Sequence, residues 1–350
     1  PRPKAKPVVL WLGTNTCAGD LLSFLNNNNP DYYAWVNDYV DFRYDYLIGA
    51  SEGPMNMDIL EATMADLPGQ YILIVEGTIP TGSKELCSVV GVRNGKPWTA
   101  LQAVRELGAK ARYIIAAGTC ASFGGPYAAD PNPADSVPLQ AILRERTVIN
   151  VPGCPINPEW MMGTVNHLIM YGVPELDGLN RPKLFYGQTI HDQCQRRVHF
   201  ENSVFAEKPG EPWCMYKIGC KGPTTFADCP KRQWNSEHLS WPVKANTPCI
   251  GCTSPEFPDG DMPFFEHLPD VKLPAIKMTA NQVGKWAGLF TALTIGSHLT
   301  ANILTGRLAG KYKQDLAGIR RKKLFKKRML RKKTLKTVLK DQVKFRGKRT

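Results

Sequence analysis

The chain has 350 residues, 43% of them hydrophobic, ten cysteines, and a formal net charge of +13 from 44 Lys and Arg against 31 Asp and Glu. Taken whole, the charge would suit a nucleic-acid or membrane-surface protein. Yet residues 320–350 hold 16 Lys and Arg against the single acid Asp341, a net of +15, and the rest of the chain sums to −2. A near-neutral body with enough apolar residues to bury a core excludes a disordered chain and a disulfide-stapled mini-protein, and the basic character belongs to a tail.

The N-terminus runs from Pro1–Pro7 straight into Val8–Gly13. It shows no apolar export segment and no twin arginine, so the expected location is cytoplasmic. In a reducing compartment, many cysteines point to metal ligation rather than disulfides. Val8–Gly13, Tyr71–Val75, Tyr113–Ala117 and Val148–Val151 are continuous apolar runs, as expected of strands covered on both faces. Helical patterns lie at Leu21–Asn26, Thr99–Lys110 and Pro158–Tyr171, the last capped by Asn157 with Pro158 in the first position. Residues 1–183 therefore predict an α/β domain with a doubly wound parallel sheet.

Residues 184–282 change character, with much Pro and Gly, few periodic runs and six of the ten cysteines. A hydrophobic core alone is not expected to hold this irregular domain, and bound metal is the expected cross-link. Residues 283–350 read as a helical, strongly basic extension. Within it, 286–306 carry no ionised side chain and could nominally span a bilayer. His298, Asn302, four Thr, one Ser and three Gly dilute the stretch, so a packed or interface helix ranks ahead of a membrane span.

In open α/β sheets, ligands gather at the carboxyl ends of the strands. Cys17, Cys120 and Cys154 each follow a predicted strand, so three loops present thiols on one edge of one sheet. Three such placements favour a shared metal centre over isolated buried cysteines. Downstream come His191-x-x-Cys194, Cys214 and Cys220 with five residues between them, Cys229, and Cys249-x-x-Cys252. Structural zinc is the competing reading for the first four. The remaining three thiols are an awkward number for zinc and suit a three-iron cluster. Gly77-x4-Gly82-Ser83-Lys84 superficially suggests a phosphate loop, but Ser and Lys are in the wrong order and Pro80 interrupts it.

These residues resemble the small, electron-transferring subunit of NiFe hydrogenases. The likeness covers about residues 8–260. It rests on the Cys17 loop, Val75-Glu76-Gly77-Thr78-Ile79-Pro80, Gly118-Thr119-Cys120-Ala121, Val151-Pro152-Gly153-Cys154-Pro155, His191-x-x-Cys194, Gly219-Cys220-Lys221-Gly222-Pro223, and Trp241-Pro242-Val243 leading to Pro248-Cys249-Ile250-Gly251-Cys252. The resemblance implies a flavodoxin-like first domain, two 4Fe–4S clusters and one 3Fe–4S cluster. The proximal 4Fe–4S set would be Cys17, Asp20, Cys120 and Cys154, and the distal 4Fe–4S set His191, Cys194, Cys214 and Cys220. The medial 3Fe–4S set would be Cys229, Cys249 and Cys252, with Pro242 where a fourth cysteine could otherwise stand. The Ni–Fe centre that splits H2 is implied to lie on a large-subunit partner.

One departure marks the ligand set. The usual C-x-x-C loop reads Cys17-Ala18-Gly19-Asp20, which resembles the high-affinity, oxygen-tolerant, actinobacterial-type branch and makes Asp20 a candidate carboxylate ligand; the alternative is that Asp20 caps the helix beginning near Leu21. Two extra cysteines found in some oxygen-tolerant relatives would match Gly19 and Gly125, so that device is absent. Cys87 matches no ligand position and is read as structural. Glu76 is a candidate for a proton path or for a contact behind the ligands.

The expected function is electron transfer in an H2-uptake hydrogenase, from the large subunit through the proximal, medial and distal clusters to an unidentified acceptor. Further assembly of the heterodimers is also expected. The alternatives are a related iron–sulfur subunit of a complex I-like assembly and a zinc-stabilised binding protein. For residues 320–350, with Leu324, Phe325, Met329, Leu330, Leu335, Val338 and Leu339 among the charges, assembly with another subunit ranks first and weak membrane-surface contact second; no nucleic acid is expected.

Overall fold

The computed structural model describes residues 6–234, 237–267, 271–273, 276–278, 280–305, 314 and 316–333. Five strands form its central sheet: β1 (Val8–Gly13), β2 (Asp41–Asp45), β3 (Tyr71–Glu76), β4 (Tyr113–Ala117) and β5 (Val148–Val151). Their spatial order is β2-β1-β3-β4-β5. All neighbours run parallel. This is the flavodoxin-like doubly wound order, and its ligand crevice falls between β1 and β3, where the winding reverses. Four of the strands coincide with the apolar runs. The fifth, β2, reads Asp-Phe-Arg-Tyr-Asp and is only half buried, as an edge strand permits, so hydropathy alone does not reveal it.

The inner strands are apolar throughout because helices cover both faces. On one face Val9, Trp11, Ile72, Ile74, Ile115 and Ile149 pack with Phe24, Trp35, Trp160 and Val165. On the other, Leu10, Leu12, Leu73, Val75 and Ile114 pack with Leu60, Leu101, Val104 and Leu107. The helix Ala100–Lys110 starts where Thr99 and Gln102 bond reciprocally to each other's backbone, a capping box. The helix Pro158–Tyr171 is opened by Asn157 with Pro158 at its first position, as the sequence indicates. The phosphate-loop-like stretch is nothing of the kind. Ile79–Pro80 pairs with Ser136–Val137, and Gly82–Cys87 forms a 3-10 turn.

Residues 186–267 have almost no regular structure. Among the described residues their separate buried apolar cluster is Ala206, Met215 and Ile218, while Ile190, Ala227, Trp241 and Val243 join the core of the sheet. The segment is tied to the sheet's carboxyl edge by specific polar links. Trp160 Nε1 donates to Asp228 Oδ1 (2.6 Å), Asn157 Nδ2 to the Gln233 carbonyl (2.7 Å), and Tyr186 Oη to the Pro152 carbonyl (2.8 Å).

The chain divides into two compact units, Pro1–Pro269 and Asp270–Thr350. In the second, Ala280–Leu304 is one helix, and residues 316–333 are helical with their side chains exposed. Leu335, Val338 and Leu339 lie outside the described residues.

Candidate iron–sulfur relay

The loop after β1 is held by the end of β3. Glu76 is fully buried, and its carboxylate accepts four hydrogen bonds, from Trp11 Nε1 (3.0 Å), Thr16 Oγ1 (2.9 Å), and the backbone amides of Asp20 and Leu21 (3.1 Å each). Thr14 adds two bonds, from its amide and its hydroxyl, to the Glu76 carbonyl, both 2.9 Å. Residues 14–21 are thus wrapped around one side chain, which fixes where Cys17 and Asp20 sit.

Asp20 is 7% exposed and lies inside the helix Gly19–Phe24, whose N-cap is Ala18 with no side-chain cap bond. The capping alternative for Asp20 therefore fails. Its Oδ1 instead accepts from the Ile156 amide, 2.7 Å away, in the loop after β5. Gly118, at the end of β4, sits at φ +79, and a Cβ there would lie 1.9 Å from Asp20 Oδ2. Only glycine lets this carboxylate enter the space between the strand ends. Burial, reinforced by the nearby Glu76, raises the Asp20 pKa well above the usual carboxylate range. Glu76 is raised too, by burial, although its four donors pull the other way.

Cys120 feels the charges of Cys154, Asp20 and Cys17, and Cys154 feels those of Cys252, Asp20 and Cys17, so the four proximal candidates form one group. Burial pushes the Cys120 and Cys154 thiols up to about 12. A Cβ at Gly19 would meet Cys17 Sγ at 3.1 Å, and one at Gly125 would meet Cys120 Sγ at 3.0 Å. Both glycines therefore border the group directly, where extra cysteines would have to stand.

The second group surrounds a cavity of about 330 Å³, lined by Cys229, Cys249 and Cys252 with Cys154, Trp234, Trp241 and Pro242. Pro242 supplies no donor at this wall. Burial raises all three cysteines of the set. The third group lines a smaller cavity with His191, Cys194, Cys214 and Cys220. Here the His191 ring packs edge-on against Phe200, centroids 4.6 Å apart, and the Arg196 amide donates to Cys194 Sγ at 3.4 Å. Burial raises Cys214 to about 11.

The groups adjoin in series. Cys154 neighbours Cys252, and Cys249 neighbours Cys220, with the Lys221 amide donating 2.8 Å to the Cys249 carbonyl. Among the described residues, no three His, Cys, Asp or Glu side chains converge closely enough to hold a single ion. The donors line cavities instead, and a soft thiolate-rich set around a cavity fits an iron–sulfur cluster better than tetrahedral zinc. Thiols with raised pKa values stay protonated until bound iron displaces the proton, so cluster uptake and proton release are coupled.

Cys87 is exposed at the end of its 3-10 turn, a surface thiol rather than a core one. Sequence reasoning missed Trp11, Thr16, Thr119, Ile156 and Arg196. None has a local signature, because each acts through backbone or side-chain geometry that only the fold assembles.

Comparison with known proteins follows the same division of the chain. Residues 186–265 match the family model for the C-terminal part of the NiFe/NiFeSe hydrogenase small subunit, and residues 17–168 match "NADH ubiquinone oxidoreductase, 20 Kd subunit". The quinone-reactive Ni/Fe-hydrogenase small chain of Wolinella succinogenes is 37% identical over 309 residues, covering 85% of this chain and 86% of the relative. The small subunit of the uptake hydrogenase of Azotobacter vinelandii is 36% identical over 301 residues, covering 84% and 82%. Among solved structures, the NiFeSe hydrogenase of Desulfomicrobium baculatum superposes with a TM-score of 0.72 at 35% identity, over 75% of this chain and all of that one. The actinobacterial-type NiFe hydrogenase of Ralstonia eutropha H16 gives 0.71 at 27% identity, over 86% and 93%.

Proposed function

The chain belongs to the NiFe hydrogenase small-subunit family, and on that footing we propose that it carries electrons from H2 oxidation on a large-subunit partner through three clusters to an acceptor. The observation that carries this reading is that the three donor groups adjoin in series: Cys154 lines one cavity with Cys229, Cys249 and Cys252, and the amide of Lys221, next to Cys220, bonds the Cys249 carbonyl. Cys17, Asp20, Cys120 and Cys154 would hold a proximal 4Fe–4S cluster. Cys229, Cys249 and Cys252 would hold a medial 3Fe–4S cluster, and His191, Cys194, Cys214 and Cys220 a distal 4Fe–4S cluster. Bound clusters supply reversible one-electron storage at potentials tuned by charge, burial and hydrogen bonds.

The chain's own residues do the rest. Cys17 and Cys154 are exposed at the strand ends, which suits an entrance covered by the large subunit. Glu76 anchors the Cys17 loop with all four of its bonds and is better suited to that task than to passing protons. Burial of Cys229 and Cys249 limits water in the middle of the path, with Cys252 partly exposed. A carboxylate at position 20 supports a place near the actinobacterial-type branch, and with it oxygen tolerance and high H2 affinity. The complex I-like alternative shares the first domain but has no counterpart of the 186–265 match.

The C-terminal unit supports a membrane contact stronger than the sequence alone suggests. Val283–Leu304 is 22 residues long, apolar enough to cross a bilayer, and unburied. At about 1.5 Å per residue it reaches roughly 33 Å, against about 30 Å of hydrocarbon. The hydroxyls of Thr291, Thr294, Ser297 and Thr300 all bond carbonyls of their own helix, which removes much of the polar cost of insertion. Residues 316–333 then present Lys and Arg without any acid, suited to anionic headgroups. Anchoring by insertion would survive carbonate extraction of the membrane fraction; release by salt alone would refute it.

The test of the main proposal is metal analysis of the complex purified with its large subunit. About eleven irons per small subunit with acid-labile sulfide, and nickel in the partner, are expected. Zinc without sulfide would overturn the reading.

A further inference from the structure

Thr119 is 1% exposed and lies between the first two donor groups, one residue before Cys120. Its amide donates to the Gly153 carbonyl (2.9 Å), and its Oγ1 accepts from the Gly153 amide (2.9 Å). The same hydroxyl donates to the Cys252 carbonyl at 2.5 Å. One small side chain thereby joins three segments far apart in sequence: the start of Gly118–Phe123, the loop after β5, and the Cys249-x-x-Cys252 loop. Beside this clasp Cys154 and Cys252 line the same cavity.

We propose that Thr119 is a positioning residue for electron passage between the proximal and medial groups, holding Cys252 against the Gly153–Cys154 backbone. Passage between the groups then depends on how closely this clasp keeps Cys252 to Cys154, with which it shares a cavity. One electron crosses at a time; no bond forms or breaks and no proton moves, so the clasp has only to hold a distance and an orientation. By holding the Cys252 loop, the clasp also fixes the hydrogen bonding and burial around that sulfur, which tune the medial potential. Threonine is required because its hydroxyl accepts and donates at once. An isosteric valine fills the space but leaves a buried amide and a buried carbonyl without partners.

This inference rests on the iron–sulfur reading above. The experiment compares wild type, Thr119→Val and Thr119→Ser, each purified with the large subunit. Iron and sulfide content, the potentials of all three clusters by redox-titrated EPR, and the rate of medial-cluster reduction after rapid mixing with H2 are measured. Thr119→Val is expected to keep its iron, shift the medial potential and slow medial reduction severalfold, while proximal reduction stays unchanged. Thr119→Ser, which keeps the hydroxyl, should follow wild type. A wild-type medial potential and rate in Thr119→Val, or an equal defect in Thr119→Ser, would overturn the proposal. So would loss of iron from Thr119→Val with full iron in Thr119→Ser, which would give the hydroxyl a purely structural role. Zinc in the wild-type complex would instead defeat the functional reading itself, before any variant is compared.

Discussion

Glu76→Gln isolates the clasp that shapes the entrance of the relay. The substitution keeps the volume of a fully buried side chain and replaces one acceptor oxygen by an NH2 group. Whichever oxygen is replaced, two of the four donors lose their acceptor: Trp11 and the Leu21 amide on Oε2, or Thr16 and the Asp20 amide on Oε1. Bonds to a charged acceptor contribute about 1.5–3 kcal/mol each, a gross loss of roughly 3–6 kcal/mol. Removing a buried charge beside Asp20 returns part of this, at about 1.4 kcal/mol per unit of raised pKa, leaving a net cost of roughly 2–4 kcal/mol. For a unit of this size that corresponds to a fall of about 5–15 °C in Tm. Because the lost donors belong to residues 11–21, proximal-cluster occupancy should fall while medial and distal clusters persist. Scanning calorimetry and cluster-resolved EPR on the loaded complex read both effects. An unchanged Tm with a full proximal signal would show that the four bonds do not hold the loop.

Three further outcomes follow from the same geometry. Asp20→Ala should remove iron selectively from the proximal cluster, whereas Asp20→Cys, restoring a fourth thiol, should retain it with a shifted potential; an unchanged proximal EPR signal in Asp20→Ala would remove Asp20 from the ligand set. Gly118→Ala places a methyl group 1.9 Å from Asp20 Oδ2 at φ +79, so it should displace the carboxylate and lower proximal iron content more than Gly53→Ala, where φ is also positive but nothing lies within 4 Å. Stripping iron under reducing conditions should make stability fall with rising pH. The folded Cys120 and Cys154 thiols hold their protons up to about 12 and Cys214 up to about 11, while unfolded thiols lose theirs from about 8.5. Above that pH the folded state binds more protons, so its advantage is present below about 8.5 and is lost as pH rises through the folded values. The loaded protein, whose ligand thiols are already deprotonated, should lack this component when urea melts of the two forms are compared across pH 8–11.

The sequence by itself determined the parts that depend on local pattern. Unbroken apolar runs such as Tyr71–Val75 announce strands buried on both faces, and Asn157-Pro158 announces a helix start, because these signals need only the nearest neighbours in the chain. The ordered cysteine and glycine motifs are likewise local, and specific enough to resemble one family. What it did not determine was whatever depends on residues distant in sequence. The strand β2 is polar because it sits at the sheet edge, a position no window of residues encodes. Asp20 reads as a candidate ligand with a helix cap as the alternative, and the Ile156 amide that holds it, 136 positions away, is visible only in the fold. Glu76 reads as a candidate for a proton path or a contact behind the ligands until four donors from residues 11–21 are seen to close around it. Thr119 stands in a motif beside a candidate ligand, but its role exists only where three loops meet. Burial and hydrogen-bond satisfaction are properties of the assembled fold, and at the carboxyl edge of this sheet they decide which of the sequence's chemically capable residues can act together.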